Sequence, residues 1–432
     1  MDFNKLSDIL FPRIEKTPAD YESMFPARGI PGDAKVTRLG PSPTGFIHLG
    51  NLYGAFVDER LAHQSGGVFY LRIEDTDDKR YVEGAVDTII DSLDFFDIHF
   101  DEGAGKDGDT GDYGPYYQSS RGPLYQCFVK ELVRKGLAYP CFMTEEEIGE
   151  IRTSQEAGKE TPGIYGSYAQ SRGLTLEQVQ AALDAGKSYV MRLRSGGDPK
   201  DPAEIKVEDG IRGTLTMPEN FQDVVILKAN GIPTYHFAHA CDDHFMRTTH
   251  VVRGEEWLSS LPIHVELFEK LGFDLPIYCH TGVLMKLDEN GNKRKLSKRK
   301  DPELALDFYK EKGYHPQAVR EYLLTVLNSN YEEWRTANPD LPCEDFPFTI
   351  EKMSTSGALF DLNKLNDVSK DTLVRIPADE LAGFLRSWAA EYRPELSDIL
   401  SDDMLLKILD LGRDGKKPRK DFICASQMFD FI

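Results

Sequence analysis

Val36-Thr37-Arg38-Leu39-Gly40-Pro41-Ser42-Pro43-Thr44-Gly45-Phe46-Ile47-His48-Leu49-Gly50-Asn51 decides the fold class of this chain. Val36 to Leu39 reads as a short strand running into a Gly/Pro turn. Beyond the turn, Leu49, Leu52, Tyr53, Phe56, Val57 and Leu61 recur at helical spacing. Gly66-Gly67 ends that helix. Val68-Phe69-Tyr70-Leu71-Arg72-Ile73 then reads as a second strand. Strand, helix and strand in this order make a β-α-β unit, which implies a parallel sheet covered by helices.

The same alternation returns downstream. Residues 223–227 are a strand candidate, 235–243 a helix, 249–253 a strand, 261–271 a helix and 277–280 a strand. Between the two α/β stretches, 103–122 is rich in Gly, Asp and Tyr and marks a boundary. Residues 123–222 mix amphipathic helices with strand-like pieces such as 188–193, which reads as an insertion. After a basic loop the chain turns helical, with Val319, Tyr322, Leu323, Val326 and Leu327 on one helix and Leu381, Phe384, Leu385 and Trp388 on another. The divisions expected are an N-terminal extension (1–35), a split α/β domain (36–110 and 223–290), its insertion (111–222), the basic loop with a following domain (291–370), and the start of a helical region (371–432). The apolar run Met428-Phe429-Asp430-Phe431-Ile432 predicts a chain that stops inside that helical region.

A length of 432 residues suits two or three domains. The net charge of −21 argues against indiscriminate polyanion binding, because each phosphate contact needs a cation. Local basic grooves remain open, since 293–300 carries six basic residues and 416–420 forms a second cluster; a solvated loop is the more common reading of such runs. No apolar run reaches the roughly 18 residues of a membrane span, and the first residues lack the apolar segment of a secretory signal. Cys127, Cys141, Cys241, Cys279, Cys343 and Cys424 are scattered without a CxxC pair. They read as reduced thiols rather than a zinc site.

His48, Gly50 and Asn51 fall where the first strand has turned into its helix. Free backbone N–H groups and the helix dipole there suit phosphate, and Gly45 and Gly50 allow close backbone approach. His48 can donate to a phosphate oxygen as charge builds in a transition state. A capping turn with an incidental histidine fits the segment equally. Glu74-Asp75-Thr76-Asp77 follows the second strand and suits an ammonium or a ribose hydroxyl, or else an acidic capping turn. His236, His239 and Asp243 share a helical face, as a metal site requires; a polar wall facing a small substrate, with Tyr235 beside His239, suits the segment better. Arg38 and Arg253 end two strands, where paired guanidiniums can grip two carboxylates, or else form structural ion pairs. Lys295 and Lys298, with Ser297 between them, lie in a basic loop able to close on a triphosphate.

Pro41-Ser42-Pro43-Thr44-Gly45 with His48-Leu49-Gly50-Asn51 resembles the HIGH signature of class I aminoacyl-tRNA synthetases, and Lys295-Leu296-Ser297-Lys298-Arg299 resembles their KMSKS loop. Arg72-Ile73-Glu74-Asp75-Thr76-Asp77, Tyr235 with Asp242-Asp243-His244, and Arg253-Gly254-Glu255-Glu256-Trp257 look like the bacterial-type glutamyl-tRNA synthetases. The resemblance runs from Val36 into the helical region past 370. It implies an α/β fold: a class I Rossmann-type catalytic domain with a parallel sheet, split by an α+β acceptor-stem-binding insertion. A stem-contact domain and a mostly α-helical anticodon-binding region follow. It implies glutamate activation by ATP, with Mg2+ accompanying the nucleotide, and transfer to the 3′ end of tRNA(Glu) by a cytoplasmic monomer.

By the same resemblance Arg38, Ser42, Glu74, Tyr235, His239 and Arg253 would line the glutamate pocket. Glu74 would take the ammonium, Arg38 and Tyr235 the side-chain carboxylate, and Arg253 the α-carboxylate. Gly45, His48, Gly50, Glu256, Leu296 and Lys298 would face ATP, and His48, Lys298, Lys295 and Thr44 would serve catalysis. Three departures stand out. His239 occupies a position where many members carry Asn, the zinc cysteines of some relatives are missing around Cys141 so that no structural zinc is expected, and 1–35 precede the usual start. A glutamyl-queuosine-tRNA synthetase paralogue is the nearest rival; such chains lack the anticodon-binding region and often keep zinc cysteines. A small-molecule nucleotidyltransferase of the same superfamily is shorter and lacks the Glu74 and Arg253 segments.

Overall fold

The computed structural model describes residues 1–44, 47–77, 82–397, 401–413 and 418–430. Gly45 lies outside them, as do Lys416 and Lys417 of the second basic cluster and the terminal Phe431 and Ile432. The chain divides into two compact units. The first holds Met1–Pro43, Ser65–Tyr81 and Asp101–His280; the second holds Thr44–Gln64, Val82–Phe100 and Thr281–Ile432. No helix among the described residues is long and apolar enough to cross a membrane.

In the first unit, β1 (Val36–Leu39), β2 (Val68–Leu71) and β3 (Glu102–Gly103) form a parallel sheet in that order, with Arg38 opposite Tyr70 and Tyr70 opposite Glu102. All four residues of β1 are buried, so Arg38 must find its partners inside the protein. β2 stops two residues before its apolar run does, because the Ile73 N–H leaves the ladder to bond the Tyr116 carbonyl at 2.9 Å. β4 (Ala138–Cys141), β5 (Val190–Leu193), the hairpin β6 (Glu204–Asp209) and β7 (Gly213–Pro218), and β8 (Val225–Leu227) follow. β9 (His250–Gly254) and β10 (Ile277–Thr281) complete the unit in the order β7-β6-β10-β9, with β6 parallel to β10. β9 lies beside β1, since the Thr249 N–H donates to the Val36 carbonyl at 2.9 Å. The strands carrying Arg38 and Arg253 are therefore neighbours.

One expectation is corrected. Residues 223–227 read as a strand of the second α/β stretch, yet β8 pairs antiparallel with β5 in a separate sheet, β4-β5-β8. A three-residue apolar strand satisfies any sheet edge, so its sequence carries no information about which one it joins. Residues 1–35 belong to the first unit's core. Helix Phe3–Leu10 packs on helix Gly122–Arg134, and Tyr21 and Phe25 meet Phe245 with ring centroids 6.3 and 5.8 Å apart. Arg28 donates to the Met246 carbonyl and lies 3.9 Å over the Tyr113 ring.

The second unit starts its helix Leu49–Gln64 directly after His48. A small sheet in the order β12-β11-β13 joins β11 (Leu284–Leu287), β12 (Lys293–Lys295) and β13 (Ala358–Leu359). The rest is helical, including Pro316–Leu327 and Ala378–Tyr392. Leu381, Leu385, Trp388, Leu409, Met428 and Phe429 share one apolar cluster.

Candidate active site

Arg38, Glu74, Tyr235, His239 and Arg253 all lie within the first unit, near the carboxyl ends of β1, β2 and β9 and on the helix Tyr235–Phe245. Such strand ends are where open α/β sheets place their ligands. Asp243, on the buried face of that helix, is the hub of the set. Its Oδ1 accepts from Arg72 Nη1 at 2.6 Å and Arg38 Nε at 3.2 Å, and its Oδ2 lies 2.6 Å from His239 Nδ1. Burial pushes this carboxyl up, but the two guanidiniums and His239 outweigh it and hold the group well below its ordinary value. Arg72 Nη2 also donates to Glu74 Oε1 at 3.0 Å. Burial raises the Glu74 carboxyl in spite of Arg72 and Arg38. A bound ammonium would lower it again.

Tyr235 opens its helix and packs on Trp257 (4.5 Å between centroids) and on His239 (5.9 Å, nearly parallel). His239 Nε2 meets the Tyr278 hydroxyl at 2.9 Å. Burial brings this imidazole down to about 4 against the opposing pull of Asp243, so it is neutral near pH 7. His239 Nδ1 lies close to Asp243 Oδ2 but is not aligned to hydrogen-bond it, so the ring is anchored through Nε2 to the Tyr278 hydroxyl. His236 turns to His264 instead, Nδ1 to Nε2 at 2.9 Å. The face His236–His239–Asp243 thus serves two hydrogen-bond networks, and no group of three or more His, Cys, Asp or Glu among the described residues is placed to hold a metal ion.

Arg253 donates through Nε to His280 Nε2 and through Nη1 to His264 Nδ1, both at 3.0 Å, with its guanidinium 4.5 Å over the Tyr278 ring. Ser42 sits on the exposed loop after β1. Two other acids of the expected motifs are structural. Asp242 is buried and accepts from Arg121, Gln118 and Tyr125, and Asp75 accepts from the Ser119 N–H and hydroxyl. Asp75 does act as a capping acid, but for the distant turn Gln118–Arg121. Glu256 is exposed and folds back over Gly254, where a Cβ would lie 2.1 Å from its carboxylate.

In the second unit the His48 segment is a reciprocal cap. The Asn51 N–H donates to His48 Nδ1 at 3.3 Å, and the His48 N–H donates to Asn51 Oδ1 at 3.1 Å. The capping and phosphate readings are therefore compatible. An imidazole that accepts at Nδ1 carries its proton on Nε2, a donor suited to an anion. Gly50 makes room for it, since a Cβ there would come within 2.9 Å of the His48 ring. Thr44 is exposed on the preceding loop. Lys295 ends β12, opposite Met285, while Leu296 is half-buried and Lys298 exposed. Asp301 organises this loop, accepting from Arg294 at 2.6 and 2.7 Å and from the Ser297 N–H at 2.8 Å.

Sequence reading overlooked Arg72, Trp257, His264, Tyr278, His280, Asp209 and Asp301. Arg72 stood inside a quoted motif, and His280 ends a recognised strand near Arg253. Asp209 gave no signal, because only the β6–β10 pairing brings it to this place.

A Rossmann-type α/β unit with charged residues at its strand ends, and a helix-capping histidine followed later by a lysine-rich loop, define a class I synthetase architecture. A family profile for the tRNA synthetases class I (E and Q), catalytic domain, matches residues 35–367. The chain belongs to that family. It is 63% identical to a glutamate–tRNA ligase of Acetivibrio thermocellus, covering all of this chain and 79% of the relative. It is 51% identical to one of Clostridium perfringens, covering 98% and 77%. A crystal structure of a glutamate tRNA ligase from Elizabethkingia meningosepticum, in complex with its amino acid, superposes with a TM-score of 0.77 at 30% identity, over 92% of this chain and 79% of that one.

Proposed function

We propose that this chain is a glutamate–tRNA ligase. It activates L-glutamate with ATP, releasing pyrophosphate, and transfers the glutamyl group to the 3′ end of tRNA(Glu). The observation that carries the choice of amino acid is the buried set Arg38, Arg72 and Asp243, with half-buried Glu74, beside Arg253. Such a set suits a small molecule with one ammonium and two carboxylates. Glu74 takes the ammonium, Arg253 the α-carboxylate, and Arg38 and Tyr235 the side-chain carboxylate, with Ser42 and His239 completing the wall. Asp243 keeps Arg38 and Arg72 oriented.

ATP is bound as its magnesium complex by Gly45, His48, Gly50, Glu256, Leu296 and Lys298. The glutamate α-carboxylate attacks the α-phosphate. His48 Nε2–H, Thr44, Lys295 and Lys298 stabilise the charge that develops on the phosphates as pyrophosphate leaves, so catalysis rests on positioning and electrostatics. Residues 36–110 and 223–290, apart from β8 in the β4-β5-β8 sheet, form the catalytic halves, 111–222 the acceptor-end domain, 291–370 the loop and stem-contact domain, and 371–432 belong to the anticodon-binding region. The enzyme works as a monomer in the cytoplasm.

Pyrophosphate exchange with each amino acid, with and without tRNA, tests this. Exchange dependent on glutamate is expected; exchange dependent on glutamine, or on no amino acid, overturns it.

A further inference from the structure

Arg253 is held by two histidines rather than by a carboxylate of its own strand, and the hydrogen-bond chemistry dictates the protonation of each. A guanidinium can only donate. His280 Nε2, 3.0 Å from Arg253 Nε, must therefore accept, which places the His280 proton on Nδ1. Nδ1 lies 2.6 Å from Asp209 Oδ2. Asp209 is itself locked: Oδ1 accepts the N–H groups of Ile211 and Arg212 at 2.9 Å each, and Oδ2 lies 3.2 Å from the backbone nitrogen of His280. The carboxylate therefore caps the β6–β7 turn and fixes the tautomer of a histidine on another strand. The same logic runs on the other side. His264 Nδ1 accepts from Arg253, so His264 carries its proton on Nε2 and donates it to His236 Nδ1. Burial lowers both His264 and His280, so both rings are neutral acceptors near pH 7.

We propose that His280, with Asp209 behind it, is a positioning residue that holds the Arg253 guanidinium in the orientation needed to receive the glutamate α-carboxylate. The proposal rests on the glutamate-pocket reading of Arg253. His280 touches no reacting atom. It acts through Arg253, on amino-acid binding and not on ATP.

The test compares two polar replacements of similar size. In His280→Gln the side-chain carbonyl reaches the place of Nε2 and can accept from Arg253, whereas the Asp209 contact is lost. In His280→Asn the amide ends near the place of Nδ1; it can satisfy Asp209 but falls short of Arg253. Pyrophosphate exchange then gives KM for glutamate and for ATP and kcat, with the folded fraction checked by circular dichroism. H280N is expected to raise the glutamate KM about tenfold or more, as the loss of one buried charge-assisted hydrogen bond implies. H280Q is expected to stay within about threefold of the parent, and the ATP KM to hold in both. A misfolded fraction would lower kcat and leave KM unchanged, so the readout survives partial unfolding. Asp209→Asn can set an amide donor against His280 Nδ1 and so drive the imidazole proton to Nε2, where it opposes the Arg253 N–H; it is a second route to the same KM rise, and an unchanged glutamate KM in this variant counts against the role of Asp209. H280N equal to or better than H280Q, or an ATP KM that rises in parallel, overturns the proposal. Arg253→Ala separates the two levels. If it leaves the glutamate KM unchanged, the pocket reading itself fails; if it raises that KM while H280Q is no better than H280N, only the positioning role fails.

Discussion

Gly50 shows how one residue links local structure to chemistry. It stands in the first turn of helix Leu49–Gln64, where glycine costs about 1 kcal/mol relative to alanine in helix stability. Glycine fits the position because the His48 ring folds back over it to accept the Asn51 N–H, leaving no room for a Cβ. Gly50→Ala is therefore expected to keep or slightly raise the thermal midpoint. It should cut the rate of glutamate-dependent exchange about tenfold to a hundredfold, since the displaced imidazole loses its aim. A variant with the parent's exchange rate would refute the link between this cap and the ATP reaction. His48, Gly50 and Asn51 were legible because the helix start and the histidine are close in sequence. The pairing of Arg38 with Asp243 was not, because the two are 205 positions apart and meet only through folding.

At the scale of the element, the lysine-rich loop owes its shape to an acid outside the motif. Asp301 accepts from both terminal nitrogens of Arg294 and from the Ser297 N–H, and its own N–H donates to the Ser297 carbonyl at 2.9 Å. Arg294 above all holds this carboxyl far below its ordinary value. Asp301→Ala should release the turn that presents Lys298 and lower kcat for exchange about tenfold or more while the glutamate KM stays unchanged. Parallel changes in the glutamate KM would count against so local a role. The basic composition marked this segment as a loop. That it starts as strand β12, and that a single aspartate organises it, depends on pairing with β11.

For the whole molecule, buried neutral histidines set the acid limit of stability. Burial lowers His264 and His280, and brings His239, His250 and His315 from 6.5 to about 4. In the unfolded chain these groups take up protons as pH falls through 6.5, whereas in the folded protein they resist until far lower. The unfolded state binds more protons in that window, so stability declines as pH drops from about 6.5 towards 4. His239 alone accounts for about 3 kcal/mol at the bottom of the window. Asp243 has the opposite sense: its depressed carboxyl contributes stability above the ordinary aspartate range and loses it only at still lower pH. Thermal unfolding between pH 7 and 4.5 should show a midpoint that falls steadily with acidity, and a flat profile would contradict the neutral-histidine assignment. The sequence by itself determined the β-α-β framework, the helix-capping histidine, the basic loop and most of the polar residues of the site, because these depend on periodicity, turn chemistry and short-range order. Only the tertiary structure decided which arginine meets which acid, which sheet β8 joins, and that Asp209 and His280 stand behind Arg253. Those outcomes depend on strand pairing across long loops, and a buried charge finds its partner through the fold rather than along the chain.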